Sequence, residues 1–386
     1  MAEEELPQDS KLELAETLFL LSVPDTPDIE KHKYKEEVLA AVEKDGLVDI
    51  YEKAVADFGW SVDKEFVKKL RERNAEDEKK IDEKIKDAEE NLGESEVREA
   101  LLEKAMFYIR IGNKEKALAQ MNLTEEKTIA VGQKMDLVFH ILRLGFFELD
   151  FDLVSKSVEK AKILFASGGD WERKNRLKVY EGLYHLATRN FKKAADLFLD
   201  SIATFTATEL FPYKTFIFYT VLTSLITLKR VDLKAKVVDA PEILAVIGEW
   251  PHLSQFLNAL YDTQYKEFFS AFAPLTDDVR RDRYLSPHYH YYMREVRVIA
   301  YTQFLESYKS VTLDAMAGSF GVSVDFLDSE ISHFIASGRL NAKIDKVSGV
   351  LETNRPDAKN ALYQSTIKQG DLLLNRIQKL SRVIDL

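Results

Sequence analysis

The residue pair with the most chemical promise in this sequence is His288-Tyr289-His290. A His-x-His pair supplies two metal ligands in one metalloprotease pattern. That pattern also needs a Ser eight residues after the second His and an Asp three residues further on. Those positions hold Val298 and Tyr301, so the pattern fails. Residues two apart on a helix also do not face each other. A metal-dependent hydrolase using His288 and His290 is therefore a remote alternative. An aromatic-rich helix start over 286–292 accounts for the same residues.

Other catalytic patterns are missing. The sequence has no cysteine, which excludes disulfides, thiol catalysis and thiolate metal sites. It contains no Gly-x-x-x-x-Gly-Lys-Ser/Thr phosphate loop, no Gly-x-Gly-x-x-Gly, no Gly-x-Ser-x-Gly elbow and no His-Glu-x-x-His. Gly318-Ser319-Phe320-Gly321 reads as a helix-turn-helix corner, and Asn122-Leu123-Thr124 is a glycosylation sequon by pattern alone. The expectation is a protein that is not an enzyme, with no cofactor, no metal and no small-molecule substrate.

Composition narrows the partners. Among 386 residues, 54 Lys and Arg face 65 Asp and Glu, a formal charge of −11. An acidic chain is poorly suited to neutralising phosphates and better suited to protein partners. A hydrophobic share of 46% against 31% charged residues argues for a folded chain. The start Met1-Ala2-Glu3-Glu4-Glu5 is acidic where a signal peptide is basic. The apolar stretch 14–23 is short and interrupted by Glu16, and no run approaches the ~18–20 apolar residues of a membrane helix. A soluble cytoplasmic or nuclear protein is expected, with no membrane contact.

The elements that would carry such surfaces are helical. No proline falls between Asp28 and Phe211, which permits long uninterrupted helices. Pro212, Pro241, Pro251, Pro274 and Pro287 then recur at helix-length intervals and are read as breaks. The charge-rich segment 63–90 reads as a solvated helix, with a narrow apolar stripe of Phe66, Leu70, Ile81, Ile85 and Ala88 and internal pairs Glu76–Lys80 and Asp82–Lys86. From about 96 the pattern becomes helical pairs at intervals of roughly 37–40 residues. One pair turns at Gly112-Asn113, a degenerate one opens at Leu144-Gly145, and a third turns at Arg189-Asn190. In that third unit Gly182 sits where the first helix needs a small residue, Phe191 plugs the turn, Ala194 permits close approach and Phe198 faces the core. About five pairs are expected over 96–305.

Near Ser310 the grammar changes. Thr312 caps a short helix, Ser323 caps a second over 324–336, and Gly338 ends it. Phe326, Leu327, Ile331, Phe334 and Ile335 are assigned to one face of that helix. Segments 340–345 and 350–353 then form a β-hairpin. Helix-turn-helix plus hairpin is a winged helix. In a DNA reader the second helix carries basic residues. Here it carries Asp325, Asp328 and Glu330, so no nucleic-acid partner is expected. The cluster Arg280-Arg281-Arg283 is offset by Asp277, Asp278 and Asp282. A last helix places Ile367, Leu374, Ile377, Leu380 and Ile384 on one stripe, widened by Leu373. That stripe needs a partner.

A helical-repeat array running into a winged helix resembles the PCI domain shared by the proteasome lid, the COP9 signalosome and translation initiation factor 3. Specific strings go further. The runs 87–96, 168–180 (Gly168-Gly169-Asp170-Trp171-Glu172-Arg173 onward), 343–347, 353–357 and 370–384 (Gly370-Asp371-Leu372-Leu373-Leu374-Asn375-Arg376-Ile377 onward) are similar to those of non-ATPase regulatory subunits of the 26S proteasome lid. The resemblance implies a mainly α fold. A right-handed tetratricopeptide-like solenoid would lead into a winged helix and a C-terminal helix. The expected parts are N-terminal helices over 1–62, a charged helix over 63–95, repeats over 96–305, a winged helix over 306–355 (PCI module about 190–357 with the last repeats) and a bundle helix over 356–386. It further implies a non-catalytic scaffold in ubiquitin-dependent degradation, with other PCI subunits as partners, chiefly regulatory subunits 3 and 11. The hairpin residues Leu340, Ala342, Ile344, Val350 and Leu351 would extend a neighbour's sheet. Ile367, Leu373, Leu374, Ile377, Leu380 and Ile384 would enter a bundle of C-terminal helices. A paralogous scaffold of the COP9 signalosome is the alternative.

Overall fold

A computed structural model describes residues 8–61, 63–91, 93–166, 168–354 and 358–384. The acidic start at 1–5 and the segment Arg355-Pro356-Asp357 lie outside the described residues. The chain forms two compact units, one from 1–261 with 271–293, the other from 262–270 with 294–386. The described residues are mainly helical, with nineteen α-helices and three short strands.

The first unit opens with α1 (Ser10–Ser22), α2 (Asp28–Asp45), α3 (Val48–Phe58) and α4 (Lys64–Asn91). Asp9 caps α1 by accepting from the Lys11 amide at 3.0 Å. In α4 the apolar stripe is seated: Ile81 and Ile85 pack with Phe107, Tyr108, Ala117 and Leu144 in one cluster. The inward residue of the first turn is Val67, while Phe66 is half-buried. The expected pairs along the helix give way to pairs across it. Asp82 binds Lys104 at 2.7 Å, Lys84 binds Glu103 at 2.7 Å, and Lys80 turns to Asp77 at 3.5 Å. For Asp82 the flanking α5 offers the ammonium of Lys104, and Lys84 finds Glu103 there, while Asp77 and Lys80 pair within α4.

The repeats follow as α5 (Glu94–Ile111) with α6 (Lys114–Glu126), α7 (Val131–Glu148) with α8 (Phe151–Ala166), and α9 (Trp171–Ala187) with α10 (Phe191–Ser201). The turns are built from the residues the sequence singles out. Asn113 accepts from the Lys116 amide at 3.1 Å to cap α6, and Asp150 accepts from the Leu153 amide at 3.0 Å to start α8. Gly182 lies against the Phe198 ring so closely that an added Cβ would fall 2.7 Å from Cδ1. Phe198 and Ala194 are fully buried and Phe191 stacks on Tyr291.

On α7, the His140 imidazole meets the Arg143 guanidinium at 2.5 Å, Nδ1 to Nη2. Burial, and then the Arg143 charge, push His140 down to about 4 from an ordinary 6.5. A proton on Nδ1 would remove the acceptor that Arg143 uses. The folded state therefore favours neutral His140, and its stability falls as pH drops from 6.5 towards 4. The drop from 6.5 to about 4 corresponds to about 3 kcal/mol. Urea titrations at pH 7 and pH 4.5 should show His140→Gln losing that much less stability on acidification than the wild type.

The rest of this unit contains α11 (Tyr213–Thr227), a short α12 (Arg230–Leu233), α13 (Pro241–Ile247), α14 (Pro251–Tyr261) and part of α15 (Tyr265–Arg281). Pro212, Pro241 and Pro251 stand at helix starts, and Pro287 lies in the 3-10 turn before α16 (Tyr289–Leu305). Pro274 does not break its helix; it lies inside α15. One lost backbone bond and a ring clash cost about 3 kcal/mol. Full burial of Leu275 and Val279 on the same helix contributes about 1.5–3 kcal/mol each and offsets that. The arginine cluster is structural. Arg283 donates to the Phe146 carbonyl at 3.1 Å and Arg280 pairs with Asp25 at 3.2 Å. Asp282 accepts from the Tyr284 and Leu285 amides at 2.9 and 2.8 Å.

The second unit is the winged helix: β1 (Ser310–Thr312), α17 (Leu313–Phe320), α18 (Val324–Ala336), β2 (Ala342–Asp345), β3 (Val350–Thr353) and then α19 (Ala358–Ile384). Thr312 and Ser323 cap α17 and α18 through the Ala315 and Phe326 amides. Gly338, at φ 71°, takes the left-handed position that closes α18. The strand β1 goes beyond the sequence reading, and the antiparallel sheet runs β1-β3-β2. Its core is aromatic: Phe320 packs against Tyr265, Phe304 and Tyr301 at 4.7–5.3 Å between ring centres.

Candidate partner-binding surfaces

On α18, Leu327, Ile331 and Phe334 are buried, but Phe326 and Val324 are exposed. Of the apolar face read from the sequence, Phe326 stays outside the core that Leu327, Ile331 and Phe334 enter. It sits in the first turn, directly after the corner at 321–323 that joins α17 to α18. The three carboxylates of α18 do not form a common outward face either. Glu330 turns inward, accepting from Tyr301 Oη at 2.7 Å and pairing with Arg297 at 2.8 Å. Asp328 is bound by Lys346 of the wing at 3.2 Å. These carboxylates hold the winged helix together.

The hairpin divides its predicted residues into two groups. Leu340, Ala342 and Leu351 are buried, while Ile344 and Val350 are half-buried. β3 is the middle strand, bonded on both sides, so Val350 and Leu351 present no free backbone. β2 is an edge. Lys343 lies opposite Glu352 and Asp345 opposite Val350. The Asn354 amide donates to the Asn341 carbonyl, and the Thr353 amide donates to the Lys309 carbonyl on the β1 side. Alternation then directs the N–H and C=O groups of Ala342 and Ile344 outward from β2. At the wing tip Asp345 accepts from Ser348 Oγ at 2.6 Å and from the Val347 amide at 3.0 Å. Those bonds, the first above all, hold its carboxyl below the ordinary range. Val347 projects from this turn almost wholly exposed.

In α19 every residue whose side chain is described is exposed. Ile367, Leu373, Leu374, Ile377, Leu380 and Ile384 are between 56% and 72% exposed. At about 100° per residue they occupy an arc of about 140°. Leu372 and Val383, which the sequence reading left out, extend it to about 220°. Their eleven-residue separation was the available signal, since eleven residues complete three turns.

The histidine pair has a structural role. His288 Nε2 meets the Ala187 carbonyl at 2.7 Å, and the His290 ring lies on Tyr289. No group of three or more His, Asp or Glu among the described residues is placed to hold a metal. Thr124 of the sequon is buried and donates to the Gln120 carbonyl. No helix among the described residues is long and apolar enough to cross a membrane.

Comparison with known proteins extends over nearly the whole chain. Residues 63–236 match the family model of 26S proteasome subunit RPN7, 252–355 the PCI domain, and 363–384 the C-terminal helix of 26S proteasome regulatory subunit RPN7/PSMD6. The chain is 67% identical over 379 residues to the 26S proteasome non-ATPase regulatory subunit 6 homolog of Arabidopsis thaliana, covering 98% of each. It is 67% identical over 383 residues to 26S proteasome non-ATPase regulatory subunit 6 of Oryza sativa subsp. japonica, covering 99% of this chain and 98% of the relative. It is 41% identical over 329 residues to 26S proteasome regulatory subunit RPN7 of Saccharomyces cerevisiae, covering 84% of this chain and 77% of the relative.

Proposed function

The chain belongs to the RPN7 family, that of 26S proteasome non-ATPase regulatory subunit 6, and we propose that it is a non-catalytic scaffold of the regulatory-particle lid, serving ubiquitin-dependent protein degradation. The observation that carries this reading is α19: an exposed 27-residue helix with a broad apolar face, over which a family-specific model also matches. Full burial of an aliphatic side chain is worth about 1.5–3 kcal/mol. An apolar stripe of this size in water favours association with other helices. On this reading α19 joins a bundle of C-terminal helices from other lid subunits. Regulatory subunits 3 and 11 are the proposed neighbours, and the protein works in cytoplasm and nucleus. The functional parts divide at 62/63, 95/96, 305/306 and 355/356.

The second proposed contact is the β2 edge, where a neighbour's strand would pair with the outward groups of Ala342 and Ile344. Proline on an edge strand is tolerated where its missing N–H faces solvent. Ile344→Pro is therefore expected to keep the winged helix folded by circular dichroism while removing one donor from the edge. Its affinity for the neighbouring PCI subunit should fall about tenfold, a loss near 1.4 kcal/mol. Lys343→Pro, which faces β3, should instead unfold the hairpin. Co-purification of tagged full-length chain with lid subunits tests the whole reading. Recovery of the chain without other proteasome subunits would refute it.

A further inference from the structure

In α19 the residues 360–384 carry four cations, Lys368, Arg376, Lys379 and Arg382, against one carboxylate, Asp371, a net charge of +3 in a chain whose total is −11. All five side chains are exposed. The cations are not spread evenly. At about 100° per residue, Lys368, Leu372, Arg376, Lys379 and Val383 share one row about 80° wide, with Lys368 and Lys379 about 17 Å apart along the axis. Leu372 and Val383 are 60% and 70% exposed, and no carboxylate stands in the row. The opposite border of the apolar face, beside Ile367, carries Gln378 and Asp371 instead. The two flanks of the helix are therefore unlike. Nor does one neighbour cover such a face: a single helix seam takes roughly 100° of arc, and this face spans about 220°.

On the reading of α19 as a bundle helix, on which this rests, we propose that the row from Lys368 to Val383 packs against an acidic helix of another lid subunit, one whose carboxylates border the aliphatic residues that cover Leu372 and Val383. Charged residues along an apolar helix seam set the choice of partner. Lysine and arginine suit this position, since their stems cover apolar surface while their heads reach out to carboxylates. A second copy of this chain fits poorly, because row against row sets cations against cations. A lipid surface fits poorly as well. A membrane-surface helix keeps its cations on the polar face, whereas Arg376 stands between Val383 and Leu380 inside the apolar one.

Titration of the labelled full chain with lid subunits assembled without it, followed by fluorescence anisotropy, tests this. The wild type should bind about tenfold more weakly at about 0.3 M than at about 0.05 M NaCl, because salt screens exposed pairs. Lys368→Gln, Arg376→Gln and Lys379→Gln together should cost about tenfold at the lower salt and remove most of the salt dependence; three exposed ion pairs supply an effect of that size. Lys368→Glu, Arg376→Glu and Lys379→Glu together should bind at least about a hundredfold more weakly and should tighten as salt is added. A merely misfolded chain does not tighten with salt. Binding of the glutamate variant equal to the wild type, or a salt response shared by the two, overturns the proposal while leaving the bundle reading intact. A wild type that binds no lid subunits at either salt removes both. Self-association of the isolated chain through the row, or row-dependent binding to vesicles of phosphatidylserine and phosphatidylcholine, would also overturn it by giving the row another occupant.

Discussion

Glutamate at both Leu374 and Ile377 is expected to leave the isolated chain as stable as the wild type while abolishing its stable association with the lid. Both side chains are exposed in α19, at 57% and 56%. Exposed substitutions away from special features usually change stability by less than ~0.5 kcal/mol. In a helix bundle the same positions lose about 1.5–3 kcal/mol of burial each, and two carboxylates must be desolvated besides. The association should weaken by at least about 4 kcal/mol, close to a thousandfold. Asn375→Glu, on the opposite side of the helix, should bind as the wild type does. Urea midpoints of the isolated chain and its co-purification with lid subunits measure the two halves of this prediction. Undiminished incorporation of the double variant would remove α19 from the proposed bundle.

The second large effect lies in the repeats. Alanine is normally about 1 kcal/mol better than glycine inside a helix. At Gly182 the sign should reverse, because the new methyl group would enter the Phe198 ring and that ring is fully buried with no room to retreat. Overpacking costs typically 1–3 kcal/mol. A net loss of about 2 kcal/mol is expected for Gly182→Ala, seen as a thermal midpoint lower by roughly 2–4 °C. Phe198→Leu alone should also destabilise, through a cavity. Combined, the two substitutions should cost less than their sum by about 1–2 kcal/mol, since each relieves the other. Strict additivity would show that the close approach does not limit the packing.

The difference between these two sites explains what the sequence made legible. Gly182, Ala194 and Phe198 were readable because close helix packing demands particular sizes at particular spacings. The caps Thr312 and Ser323 were readable because a hydroxyl before an apolar periodic run has few other uses. β1 was missed because three residues are too few for alternation to register, and its pairing partner lies far along the chain. Pro274 was read as a break because local cost was visible and tertiary burial was not. The charge pairs of α4 were assigned along the helix because the sequence displays only its own neighbours, not the flanking Lys104 and Glu103. The stripe of α19 was legible as a pattern. The proposed occupant rests on resemblance, since an apolar face states that it needs covering and not by what.

The order β1-β3-β2 also bears on how the chain matures during synthesis. Ser310 pairs with Glu352, a closure over roughly 40 residues that delays pairing until the far strand exists. At about 5–20 residues per second, a ribosome takes seconds to make that stretch. Until β3 is available β1 has no partner, and β2 cannot become the outer strand. A chain that stops short of residue 353 thus never offers the edge proposed to engage a neighbour, and one that stops short of 384 lacks part of α19. Both proposed contact surfaces are therefore made after the repeats, and a partner that needs either of them engages only chains whose repeats already exist.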